Sequence, residues 1–302
     1  MIEQQQGRVQ YVQFGHFLQF PELTHGIFTR LGGYSKDPYW GLNVSFTTGD
    51  DIENVKRNRL LALSALQLDT YPCAALWLVH GADVAVVDET PWEWRFDQPF
   101  LTLAEEQKVL LRTTQPRWKA DAFITRQKGI SLAISSADCV PVLLYDPVQH
   151  AIGLAHAGWR GTARGIVFAT IDAMRTEFGS QPEDIYAGIG ASIGPCCYQV
   201  SEEVQGLFMG RIEFDIQPTA ERYRNLVRES TVFSVREHAH GNSLMLDLWE
   251  TNRNQLLMAG VLPEHMELPG ICTSCEKDRF YSHRGEHGRA GRFPSILALR
   301  GQ

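Results

Sequence analysis

Residues 133–162 read AISSADCVPVLLYDPVQHAIGLAHAGWRGT. Two apolar runs, 140–145 and 151–155, flank the turn sequence Asp146-Pro147-Val148-Gln149, which is the pattern of a β-hairpin. With the turn centred on Pro147 and Val148, Tyr145 stands opposite His150 and Cys139 stands opposite His156. Directly opposed residues on antiparallel strands share a face, with Cβ atoms roughly 5 Å apart. A slip of one residue would send the thiol and the imidazole to opposite faces. The hairpin therefore sets the pair at its open end, just before a turn containing Gly158, Arg160 and Gly161.

Such a pair admits three readings. A Cys beside a His can become a thiolate nucleophile. The same two groups can be ligands of a zinc ion. A buried free Cys near an ordinary core His is the bland outcome. The glycines and the basic residue beside the pair favour function.

Working outward, a helix is expected at about 162–178, with Val167, Ile171, Met174 and Phe178 as its apolar stripe and Gly179 as its stop. Its free amides and positive dipole end would begin close to His156 and Arg160, a setting suited to an anion. Upstream, Asp50 and Asp51 start another helix, whose stripe holds Ile52, Val55, Ala62, Leu63 and Leu66. Arg59 falls on that stripe and needs an anionic partner, either a protein carboxylate or a bound anion. Strands are expected at 25–30, 74–79, 84–87, 120–125, 130–134, 184–189, 280–283 and 296–299, with residues 9–20 forming an opening strand or hairpin. His80 ends the strand at 74–79, as His156 ends its own.

Residues 88–119 break this pattern, with three Trp, several charges and Pro91, Pro99 and Pro116, and read as an excursion from the core fold: a lid or an interface, or, more commonly for such aromatics, ordinary cover for a core edge. Residues 211–243 carry little pattern. Cys272-Thr273-Ser274-Cys275 has zinc-knuckle spacing and with Cys196 and Cys197 would give four thiolates, but nothing in the sequence brings those segments together. GIGASIG at 188–194 lacks the context of a dinucleotide-binding fingerprint. There is no Walker motif and no GxSxG. Strands joined by short connections, with three or four helices between them, favour a mixed, largely antiparallel α+β structure.

The 302 residues are 44% hydrophobic and 21% charged, which suits a globular protein with ample core. A net charge of −7 argues against a general nucleic-acid-binding surface. Six Cys in this length are too sparse for a disulfide scaffold. The polar start MIEQQQGRVQ has no signal core, and no apolar run approaches the roughly 18 residues that span a membrane. The expectation is a reduced, cytoplasmic protein.

Seven ordered segments then carry a resemblance: HGIFTRLGGYS, GDDIENVKRNR, LVHGADV, SADCVPVLL, AHAGWRGT, ASIGPCCYQV and YSHRGEHGRAGR. Together, from about 25 to 299, they resemble the laccase-domain family. Its members were described first as multicopper polyphenol oxidases and later as purine nucleoside phosphorylases. The resemblance implies a single domain over 1–302 with a four-layer αββα sandwich, mixed and largely antiparallel sheets, and helices on the outer faces. It implies zinc, in preference to copper, held by His80, Cys139 and His156, which would then be the catalytic residues. Two His and one Cys leave a tetrahedral position open, as in catalytic zinc sites.

The implied activity is phosphorolysis of adenosine, inosine, guanosine or 5′-methylthioadenosine, with adenosine deamination beside it. The implied partners are thus a purine nucleoside and phosphate, with no nucleic acid and no membrane, in a monomer or a homodimer. Arg59, Arg160, Arg284 and Arg292 are candidates to hold phosphate, and Asn43 and Ser192 to contact the nucleoside. Many relatives carry a second Arg directly after the position of Arg284, whereas Gly285 stands there in this chain. Arg292 and Arg289 are the cations left to replace it. Two rival chemistries remain. A copper polyphenol oxidase needs many His, usually in HxH pairs, and this chain has ten His with one such pair, His238 and His240. A cysteine hydrolase would use Cys139 as nucleophile and His156 as base.

Overall fold

The computed structural model describes residues 1–87, 118–238 and 241–301. The expected excursion at 88–119 falls almost wholly outside these residues, as does His240. The strands are β1 (Ile2–Gln6), β2 (Val9–Gln13), β3 (Leu23–Phe28), β4 (Cys73–Trp77), β5 (Val84–Val86), β6 (Trp118–Lys119), β7 (Ala122–Thr125), β8 (Ile130–Ser136), β9 (Val140–Asp146), β10 (Ala151–Ala157), β11 (Tyr186–Ile189), β12 (Val232–His238), β13 (Gly241–Asp247), β14 (Met266–Glu267) and β15 (Phe293–Leu299). The helices used below are α1 (Ile52–Ala65), α2 (Trp159–Ala163), α3 (Ile166–Phe178), α4 (Glu202–Phe208), α5 (Glu221–Ser230) and α6 (Leu248–Met258).

Two large sheets carry the fold. One has seven strands in the order β1-β2-β3-β15-β8-β4-β6, and the other has six in the order β14-β11-β9-β10-β7-β5. Most pairings are antiparallel, and β4–β8, β4–β6, β5–β7 and β11–β14 are parallel. Side chains alternate between the faces of a strand, and the core divides accordingly. Leu143, Tyr145, Ile152 and Leu154 of the six-stranded sheet meet Ile27, Leu132, Ile134 and Leu297 of the seven-stranded one. Val142, Leu144, Ala151 and Ala155, on the opposite face, pack on Ile166, Val167, Ile171 and Met174 of α3 and Leu256 of α6. Ala133, Ile296 and Ala298 pack on Ala62, Leu63 and Leu66, in and just after α1. Helix, sheet, sheet, helix is thus the order of layers, the αββα sandwich expected.

Helix α1 starts where its acidic residues place it, with the Asp51 carboxylate accepting from the amide of Asn54. Three expectations change. The hairpin register pairs Ile152 with Tyr145 and His156 with Pro141. The turn holds four residues rather than two centred on Pro147 and Val148, because the Asp146 carboxylate accepts from the amides of Val148 and Gln149 and widens it. The register has slipped by two residues, which preserves the face. The helix expected at 162–178 begins earlier, as α2, and is interrupted at Gly165, whose φ of +80° needs no Cβ. Residues 280–283 form no strand: the amide of Phe280 closes a turn onto Glu276, and the Phe280 and Tyr281 rings are buried in the core between the sheets. The segment 211–243, unreadable from sequence, supplies α5 and leads into the β12–β13 hairpin. Among the described residues no helix is long and apolar enough to cross a membrane.

Candidate metal centre and substrate cavity

Cys139 lies in the short crossing from β8 in one sheet to β9 in the other. Asp138 enables that crossing with a φ of +85°, a conformation that Asp tolerates better than most residues. Its carboxylate accepts from the Thr273 hydroxyl at 2.7 Å and the Arg284 amide at 2.6 Å, and its carbonyl accepts from the Ile193 amide. The loop bearing Cys139 is thereby fixed from both sides. His156 sits near the end of β10, buried. His80 follows β4 at a φ of +59°, exposed. One ligand atom from each of His80, Cys139 and His156 lies within 4.8 Å of the others. The geometry runs from a buried imidazole through a half-buried thiol to an exposed imidazole, so the cluster opens to solvent.

One residue organises the cluster and was missed in the sequence. Asp121 is fully buried. Its Oδ1 accepts from the His80 amide at 2.9 Å and pairs with His156 Nδ1 at 3.0 Å. Its Oδ2 accepts from the amides of Gly81 at 2.6 Å and Val79 at 3.2 Å. A carboxylate on Nδ1 leaves Nε2 to face the other ligands and raises its basicity, the support that metal-binding His residues usually have. The signal in the sequence was an Asp in the apolar run Ala120-Asp121-Ala122-Phe123.

The titration of the cluster follows from this geometry. Burial raises the Cys139 thiol, but the charge and hydrogen bond of His156, with a further bond from His80, outweigh burial and bring it down. Burial lowers His156, but the Cys139 thiolate and the Asp121 carboxylate outweigh it and bring it up. Each group thus favours the charged form of the other.

The donor set fits a metal ion. A thiolate and two imidazoles suit zinc and leave a fourth tetrahedral position free. They border a cavity of about 470 Å³, which Arg160, Arg284 and Arg292 also line, with Trp159, Tyr198, Ser45, Thr47, Ser136 and His283 among the remaining walls. Arg292 is held by bonds from Nη1 to the carbonyls of Ala290 and Gly291, and Arg284 by one from Nη1 to the carbonyl of Gln199. Arg160 lies over the Trp159 ring, 4.1 Å from its centre.

Three of the expected substrate residues lie outside this cavity. Asn43 is fully buried and saturated: its amide donates to Thr48 and Asp50, and its carbonyl oxygen Oδ1 accepts from the amides of Ser45 and Arg292. It thus shapes the walls that carry Ser45 and Arg292. Ser192 is buried, donating to the Gly190 carbonyl and accepting from Trp249 Nε1. Arg59 donates from Nε to the Val44 carbonyl at 2.8 Å and lies over the Phe46 ring.

A two-sheet αββα domain with a His₂Cys cluster at the mouth of an arginine-lined cavity is the class that fold and site define. Residues 24–300 match the family described as multi-copper polyphenol oxidoreductase laccase, and the chain belongs to that family. It is 36% identical, over 93% of its length and 92% of the relative's, to a purine nucleoside phosphorylase YlmD of Geobacillus stearothermophilus. It is 33% identical, over 93% of both chains, to a purine nucleoside phosphorylase of Bacteroides thetaiotaomicron. Among solved structures, YlmD from Geobacillus stearothermophilus superposes with a TM-score of 0.78 at 32% identity, covering 99% of both chains. A hypothetical protein YfiH of Bacillus licheniformis does so with a TM-score of 0.76 at 29% identity, covering 97% of both.

Proposed function

We propose that the chain is a zinc-dependent purine nucleoside phosphorylase whose reaction takes place in the arginine-lined cavity. The observation that carries this reading is the placement of three arginines and a His₂Cys cluster on the walls of one cavity of nucleoside size. The names of the relatives agree with it.

In phosphorolysis a phosphate oxygen bonds to C1′ of the ribose while the bond from C1′ to the base nitrogen breaks. The base takes up a proton as it leaves. His80, Cys139 and His156 would hold the metal, which when bound supplies a Lewis acid for a phosphate oxygen or acidifies a water. Arg160, Arg284 and Arg292 supply the positive charge that gathers phosphate in the cavity. A phosphate held against the ribose also offsets the positive charge that builds there as the base departs. Trp159 and Tyr198 line the cavity with rings over which Arg160 and Arg284 lie, so the aromatic wall and the positive charge adjoin. Ser136 also borders the cavity, with its hydroxyl buried and without a hydrogen-bond partner among the described residues.

The test is product identification from a panel of adenosine, inosine, guanosine and 5′-methylthioadenosine, with and without phosphate. The reading expects free base only when phosphate is present. Inosine as the sole product from adenosine at high phosphate would instead make deamination the main reaction. The lowered Cys139 thiol beside His156 favours one second reading, a cysteine hydrolase. Covalent labelling of Cys139 in both metal-free and zinc-loaded protein would support it, since a coordinated thiolate is a poor nucleophile. A multicopper oxidase fits less well, because the described residues gather two His at this cluster and none at the other candidate metal group.

A further inference from the structure

Four cysteines outside the cavity converge on one point. Cys196 and Cys197 lie on a turn closed by the amides of Cys197 and Tyr198 onto the Gly194 carbonyl. Cys272 and Cys275 lie on a second turn, closed by the amides of Cys275 and Glu276 onto the Cys272 carbonyl. The two turns are clipped together: the Thr273 amide donates to the Ser192 carbonyl, and the Ser192 amide to the Ile271 carbonyl. The four sulfurs all lie within 4.8 Å of one another. Cys275 Sγ is 3.5 Å from Cys196 Sγ and 3.5 Å from Cys197 Sγ.

These separations discriminate between the uses of four thiols. A disulfide needs sulfurs about 2.05 Å apart, and all four cysteines are free. A tetrahedral ion with metal–sulfur bonds of about 2.3 Å sets its ligands about 3.8 Å apart. The observed cluster is near that size without any backbone shift. One sulfur already has outer support, because the Gly194 amide donates to Cys272 Sγ at 3.2 Å, and such a bond stabilises a thiolate that ligates a metal. Two residues between Cys272 and Cys275, on a tight turn, give the spacing by which zinc knuckles present a pair of thiolates. Four thiolates form a soft, closed set, which suits zinc in a structural role and leaves no position for substrate.

We propose that Cys196, Cys197, Cys272 and Cys275 form a second metal site, a four-thiolate zinc site that clasps two loops of the cavity wall. The first loop continues directly into Tyr198, which lines the cavity. The second carries Thr273, whose hydroxyl holds Asp138 beside Cys139, and leads on to Arg284. The zinc at this site links two segments that are far apart in the chain and sets the position of both cavity walls. It does not touch the His80–Cys139–His156 cluster, so the two sites can be emptied separately.

Metal stoichiometry and cobalt absorption test the proposal. Wild-type chain purified under reducing conditions and loaded with zinc is expected to hold two zinc ions. The double variant Cys196→Ser with Cys275→Ser is expected to hold one, and so is the double variant His80→Ala with Cys139→Ala. In the latter protein all four clustered thiols remain, and the other thiol, Cys73, is buried. Cobalt(II) added to it should give the intense sulfur-to-metal charge-transfer band of a thiolate-rich tetrahedral site, abolished by zinc. The proposal is overturned if that protein binds cobalt without the band, or binds no metal. It is equally overturned if the double serine variant keeps the wild-type zinc content, or if two of the four thiols of freshly reduced wild-type protein are found linked to each other. Loss of the band leaves the phosphorylase reading untouched, and loss of nucleoside cleavage in His80→Ala with Cys139→Ala leaves this site untouched.

Discussion

Replacing Asp121 with Asn tests whether this buried carboxylate is what prepares His80 and His156 for a metal. The side chain accepts four N–H groups: Val79, His80 and Gly81 from the backbone, and His156 from its ring. Asn keeps one acceptor oxygen and turns the other into a donor. Whichever way the amide faces, two N–H groups meet an N–H. Each orphaned buried donor costs roughly 1–3 kcal/mol, so the variant loses about 2–6 kcal/mol of stability. If the amide nitrogen faces Val79 and Gly81, the loop bearing His80 loosens. If it faces His156, the imidazole loses its Nδ1 anchor and its added basicity. Both routes act on ligands, and losing such outer support typically weakens metal affinity 10–100-fold. Competition with a chelator measures the zinc dissociation constant, and denaturant unfolding measures stability. An Asp121→Asn protein that binds zinc within about twofold of wild type would refute the reasoning, since the carboxylate would then be holding a loop and nothing more.

Other expectations follow from the same geometry. Gly158 stands opposite Cys139, where an added Cβ would lie 2.8 Å from Cys139 Sγ and 3.5 Å from His80 Cδ2; Gly158→Ala should therefore lower zinc affinity tenfold or more while the thermal midpoint changes little, and unchanged affinity would contradict the placement of Cys139. His25 is buried, with Nε2 accepting from the Phe14 amide, and burial pushes its pKa down to about 3. Below its unfolded value near 6.5 the unfolded chain binds a proton that the native one does not, so stability is full above that pH and is lost as pH falls toward 3; at pH 5 the loss is about 2 kcal/mol at 1.36 kcal/mol per unit. His25→Leu should flatten urea-unfolding free energies between pH 7 and 5, and an unchanged slope would refute the assignment.

Much of this site was legible in the sequence because strand geometry has a period of two. The turn after Asp146 was misjudged, and the register came out two residues away from the one inferred. Cys139 and His156 nonetheless stayed on one face, since a slip of two restores the side a slip of one would reverse. His80 was readable as a second strand-end His but not as a neighbour, because β4 lies in the other sheet and nothing local encodes how sheets meet. Asp121 left only the trace of a charge within an apolar run. The four clustered cysteines show the same limit: each pair sits on its own turn, and only the packing of residues near 192 against residues near 272 joins them. Asn43 and Ser192 enter as nucleoside contacts only through the family resemblance. Both turn out to be buried braces, a role that polar side chains in tight loops commonly take because backbone groups there need partners.

The central claim is that the cavity cleaves purine nucleosides with phosphate and depends on the His₂Cys cluster to do so. One measurement addresses it most directly: free base released from a purine nucleoside by zinc-loaded protein, with and without phosphate, beside the same assay on Cys139→Ala. Phosphate-dependent release by the wild type and a loss of at least a hundredfold in the variant are the expected results. Wild-type protein that releases no base in phosphate, or a Cys139→Ala protein that releases it at the wild-type rate, would contradict the claim.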